Sequence, residues 1–189
     1  MLLEGVAVFA ACSSVLLAAV PEGWFLAGSR PSEYDCSIDP GATYNDKPAT
    51  YLKSKPDIKT TGFGTMMQGF DAAQYAGKRV RFSAFVKAEE VKSHGVPAWA
   101  GLWMRVDGDI PGPNKTLAFD NMHDGGHDRS IKGTKEWKSY SVVLDVPENA
   151  SKISFGILLS GSGAVWMSGV QVEAVGPEVK VTGRTRPPM

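Results

Sequence analysis

Three side chains with complementary chemistry recur at alternate positions in residues 100–107: Trp103, Arg105 and Asp107. Leu102, Met104 and Val106 lie between them. A period of two is that of a β-strand with one face in a core, so the indole, guanidinium and carboxylate would stand in one row on the other face. Such a row suits a polyol, whose apolar ring face stacks on an indole and whose hydroxyls pair with Arg and Asp. Asn121 and Lys87 on other strands would join the row if the sheet order sets them alongside, and Gln68 and Trp99 would extend it. The competing reading is a surface ion pair and a packed indole that only stabilise the sheet.

Other constellations are weaker. His123, Asp124, His127 and Asp128 offer imidazole and carboxylate donors, but Gly125-Gly126 between them favours a solvated loop over preformed zinc geometry. No metal site is therefore expected there, and no cofactor. A structural calcium at Asp107 and Asp109 is a separate option, although the run lacks the other acidic positions of a standard calcium loop. Asp107, Asp120 and His123 could act as general acids or bases only if the fold brought two of them to one substrate. The sequence has no Gly-x-Ser-x-Gly elbow, phosphate loop or dinucleotide fingerprint. The two cysteines, Cys12 and Cys36, are too few for a disulfide framework.

The elements that must position these groups read as strands. Residues 80–88 alternate Val80, Phe82, Ala84 and Val86 against Arg81, Ser83, Phe85 and Lys87, so a polar side faces water or a ligand. Short strands are expected within 43–54 and 61–70, one helical turn over 71–75 capped by Asp71, and further strands over 117–122 and 137–146. Residues 153–159 and 164–175 are expected to pair as a hairpin about Ser160-Gly161-Ser162-Gly163. About eight short strands with frequent turns predict an all-β, jelly-roll-like antiparallel β-sandwich.

A chain of 189 residues fits one domain with one core. Lys plus Arg equals Asp plus Glu at 20 each, so no broad positive footprint is available and this chain alone is not expected to bind nucleic acid. Residues 1–20 are apolar and nearly chargeless, the length of a signal-peptide core, yet no basic residue precedes Arg30. If that segment acts as a signal the protein is exported or membrane-tethered, and otherwise it is cytoplasmic. The domain is expected over 21–175, followed by a Pro- and Gly-rich tail over 176–189.

Four blocks carry a resemblance: Trp24-Phe25-Leu26-Ala27-Gly28-Ser29, Gly62-Phe63-Gly64-Thr65-Met66-Met67-Gln68, Gly101-Leu102-Trp103-Met104-Arg105-Val106-Asp107-Gly108 and Leu117-Ala118-Phe119-Asp120-Asn121-Met122. They resemble a small bacterial domain that also occurs attached to AraC-type transcription regulators. Val165-Trp166-Met167-Ser168-Gly169-Val170 is similar to the last strand of galactose-binding-like and carbohydrate-binding jelly rolls, where an acidic pair often replaces Ser168-Gly169. The resemblance covers about residues 20–175 and implies a sensor or binding module; nothing here can form a helix-turn-helix. The resulting expectation is a β-sandwich that binds a carbohydrate or other small polar molecule. A lyase- or cyclase-type enzyme using the same face, or a protein-interaction domain, is the alternative.

Overall fold

A computed structural model of the chain describes residues 20–56, 62–93, 97–109, 115–124 and 128–185. The apolar N-terminal segment, residues 1–19, and His127 lie outside the described residues. Eleven strands are present among the described residues: β1 (Phe25–Gly28), β2 (Tyr34–Tyr44), β3 (Lys47–Ser54), β4 (Phe63–Asp71), β5 (Arg79–Lys92), β6 (Trp99–Gly108), β7 (Thr116–Asp120), β8 (Gly133–Asp145), β9 (Ala150–Ser160), β10 (Ser162–Val175) and β11 (Arg184–Thr185). They form two antiparallel sheets, ordered β1-β4-β9-β6-β7-β11 and β2-β3-β10-β5-β8. The all-β sandwich expected from the alternating segments is the observed architecture.

The core lies where the two inner faces meet. Val80, Phe82, Ala84 and Val86 of β5 are buried there, opposite Leu102, Met104 and Val106 of β6 and Ile153, Phe155, Ile157 and Leu159 of β9. Phe82 meets Phe155 edge-on across the two sheets, with ring centroids 4.9 Å apart. Because every second residue of these strands is inside, their partners are forced outward, and each sheet presents its own outer face.

Several expected elements have different roles in the fold. The Ser160–Gly163 stretch is not a hairpin: β9 belongs to the first sheet and β10 to the second. Both flanking strands carry inner-face apolar rows, so the tight turn at Gly161 stacks them face to face instead of side by side. The helical turn is a 3-10 turn over Ala73–Tyr75, and the Asp71 carboxylate accepts the Ala73 amide at 2.7 Å. Strands β1 and β2 arise in a stretch without a clear alternating signal. Residues 176–185, read from the sequence as part of a tail, run back along the sandwich. Arg79 donates to the carbonyls of Pro177 and Val179, both at 2.7 Å. Thr182 exchanges bonds with Val143, and β11 then adds to β7.

The β2–β3 hairpin bends over the outer face of its own sheet. Its two-residue turn, Asn45-Asp46, has positive φ at both positions (49° and 58°), the twist that a tight hairpin requires. A register shift between Asp39 and Thr43 adds residues to β2 only, which curls the arm. Removing the ring that joins the sheets, Phe82→Ala, is expected to destabilise the protein by about 3–5 kcal/mol. The midpoint of urea unfolding, followed by circular dichroism, measures this.

Candidate functional site

The residues singled out from the sequence fall on three different surfaces. Trp99, Trp103, Arg105 and Asp107 do share the outer face of the first sheet, as the alternation of β6 requires. Lys87 is on the outer face of the second sheet, paired across from Trp166. Gln68 pairs with Phe155, on the inward side of β4. Asn121 lies just after β7 and is 6% exposed; its side-chain oxygen accepts the amides of His123 and Asp124, and its Nδ2 donates to the Asp124 carboxylate at 2.7 Å. It shapes the loop.

On the first sheet, the groups that would meet a polyol are spent on one another. The Trp103 indole is only 8% exposed, and its Nε1 donates to Thr65 Oγ1 at 2.7 Å. Thr65 is on β4, so the indole reaches across β9, where its cross-strand neighbour Gly156 has no side chain to obstruct it. Arg105 Nε donates to Asp107 Oδ2 at 3.0 Å, and Thr116 donates to Asp107 Oδ1 at 3.0 Å. Asp107 is thereby buried, with both carboxylate oxygens hydrogen-bonded. The ring of Trp99 stacks on His123, with centroids 4.6 Å apart, and keeps part of its surface open. Asp120 is buried against the Arg129 guanidinium, which also donates to the Ser141 carbonyl at 2.8 Å.

The second sheet presents a different surface. Tyr44, brought in by the curled hairpin, stacks on Phe85 of β5 with centroids 4.2 Å apart. Trp137 of β8 is 5.4 Å from Tyr44 and completes an aromatic shelf. Beside the shelf, Gln171, Ser83 and Ser141 line up across β10, β5 and β8, with Ser139 next to Phe85. Phe85, the two β8 serines, Ser83, Gln171 and Arg81 line a depression of about 270 Å³. It opens at a bulge in β10, where Gly169 takes φ 63°, a conformation that costs glycine little. Arg81 closes the far end, its Nη2 donating to Glu173 at 2.8 Å.

One strand row away from the shelf, Trp166 donates to Asp39 at 2.8 Å and lies under Lys87, whose ammonium is 5.4 Å from the ring centroid and 3.0 Å from Glu89. The bond to Glu89 raises the Lys87 pKa above its ordinary value. On β2, Cys36 is half-buried; burial, and then the Asp35 charge, push its thiol up, away from nucleophilic use.

The sequence puts Arg81, Ser83, Phe85 and Lys87 on the polar side of their strand and takes Lys87 alone of these into its candidate site. Tyr44, Trp137, Ser139, Ser141 and Gln171 are not brought together by the sequence. Their sequence signal is the repeated serine on β8 together with three aromatics on non-adjacent strands, and only the sheet order joins them.

No protein-family profile matches the chain. It is 43% identical over 166 residues to YbfP, an uncharacterized HTH-type transcriptional regulator of Bacillus subtilis (strain 168), a match covering 88% of this chain and 52% of the relative. The chain thus spans about half the length of that relative. Among solved structures it is similar to the CBM22-1 xylan-binding domain of Paenibacillus barcinonensis Xyn10C, with a TM-score of 0.51 and 12% identity over 83% of this chain and 88% of that one. It is also similar to the CBM22-1–GH10 modules of Clostridium thermocellum xylanase 10B complexed with xylohexaose, with a TM-score of 0.53 and 14% identity over 85% of this chain and 28% of that one.

Substituting Thr65→Val would leave the buried Trp103 N–H without an acceptor. It is expected to cost about 1–3 kcal/mol of stability and to shift the tryptophan emission, as read by denaturant titration followed by fluorescence. The chain is a β-sandwich with the fold of carbohydrate-binding modules, similar in sequence to about half of an HTH-type transcriptional regulator.

Proposed function

We propose that this protein is a saccharide-binding module whose site is the outer face of the β2-β3-β10-β5-β8 sheet. The observation that carries the reading is a depression that joins Phe85, on which Tyr44 stacks with Trp137 beside it, to the neutral row Gln171–Ser83–Ser141. A pyranose has an apolar face that gains from contact with an aromatic shelf, and an edge of hydroxyls that both donate and accept. Serine hydroxyls and a glutamine amide match that edge in either sense. The fold shared with the xylan-binding domains supports this reading by analogy.

A second reading keeps the ligand on the Trp103–Arg105–Asp107 face, with Trp99 as its aromatic. The half-open Trp99–His123 stack and the partly exposed Arg105 guanidinium favour it. Its weakness is the buried Trp103 indole. Binding is preferred to lyase- or cyclase-type chemistry because Asp107 and Asp120, the carboxylates that would do acid–base work, are each held by an arginine. If this module is part of a longer regulator, saccharide capture would be its sensing step.

Titration calorimetry of the whole chain against a panel of neutral oligosaccharides tests the assignment. Phe85→Ala and Trp137→Ala should each weaken binding by about tenfold or more, the order of one lost ring contact at roughly 1.4 kcal/mol per decade. Arg105→Ala should leave the affinity within about twofold of the parent. Loss of binding on Arg105→Ala but not on Phe85→Ala would move the site to the opposite face.

A further inference from the structure

We infer that the depression selects uncharged saccharides of one or two rings and rejects sugars that carry a carboxylate. The inference rests on the saccharide reading of this face and adds the class of sugar it accepts.

Arg81 is the one charged side chain among the described residues that line the depression, and it is already committed: Nε and Nη2 both point at Glu173 Oε1, at 3.2 and 2.8 Å. The neighbouring cations are committed too. Arg79 donates to both oxygens of Asp145, at 2.7 and 3.1 Å, and Lys87 lies 3.0 Å from Glu89. A uronate entering the depression would lose hydration to face a guanidinium whose charge Glu173 already neutralises, with the Glu173 carboxylate itself beside it. Burial of a charge without a partner is strongly disfavoured, and an unpaired like charge acts as a rejection device. A neutral hydroxyl meets none of this, because Ser83, Ser139, Ser141 and Gln171 offer both donors and acceptors.

The depression is also short. From Phe85 to Arg81 the floor runs four residues along β5, about 13 Å at the usual strand rise, and three strands make it about 10 Å wide. Phe85, with Tyr44 stacked on it, closes one end and Arg81, paired with Glu173, the other. The next aromatic, Trp166, is taken up by Asp39 and Lys87. The walled length holds one or two pyranose rings.

Calorimetry on the whole chain with cellobiose, lactose and maltose, each against the counterpart whose terminal CH2OH is oxidised to a carboxylate, reads the selectivity directly. Each neutral sugar that binds should do so about tenfold or more tightly than its uronate at low salt, and Glu173→Gln, which frees Arg81, should narrow that ratio at least about fivefold. Equal or tighter binding of the uronate by the parent overturns the selectivity, as does a ratio unmoved by Glu173→Gln. A tetrasaccharide that binds more than about tenfold better than its disaccharide overturns the length limit. If Phe85→Ala abolishes binding while neutral and acidic forms bind alike, the binding face stands and only the selectivity falls. If none of these disaccharides binds, both fall.

Discussion

The meeting of Phe82 and Phe155 between the sheets sets which residue of every neighbouring strand is inside. Once Phe82 is fixed inward, Arg81, Ser83, Phe85 and Lys87 have no choice but the outer face, because successive strand residues point to opposite sides. Once Phe155 is inward, Gly156 faces outward and opens the lane in which the Trp103 indole lies. Both outer faces therefore inherit their composition from one packing contact and a period of two.

The two outer faces then diverge through different uses of their polar groups. On the first, polar side chains are consumed by neighbours: the indole by Thr65, and Asp107 by Arg105 and Thr116. Groups paired in this way gain little from a new partner, since a ligand would only exchange one hydrogen bond for another. On the second face the charges are paired at the ends, while the hydroxyls and amide between them line an open depression. A surface becomes a binding surface where its hydrogen-bonding groups are exposed side by side and an apolar platform stands next to them.

The curled β2–β3 hairpin is what converts a flat sheet face into a walled one. Without the register shift that lengthens β2 between Asp39 and Thr43, Tyr44 would continue in the plane of the sheet and Phe85 would lack its stacking partner. The same arm carries Asp39 to the Trp166 indole, so one irregularity organises two aromatic groups. The sequence predicts strand within residues 43–54, the stretch that holds Tyr44. It does not predict the bend, since that depends on how many residues each side of a ladder contributes.

From its amino acids alone the chain declares its class: alternation in β5 and β6 and frequent turns between short strands predict a two-sheet sandwich with one core. It also declares which residues of each strand share a side, because that is a property of backbone geometry within about four residues. Which strands are neighbours is a different matter. Lys87 and Trp103 looked like candidates for one row and stand on opposite sheets, while Ser160–Gly163 looked like a hairpin and joins the two layers. Only the tertiary structure sets Gln171, Ser83 and Ser141 in line and lays Tyr44 on Phe85, because lateral order depends on pairing between segments far apart in the chain, where local pattern carries no information.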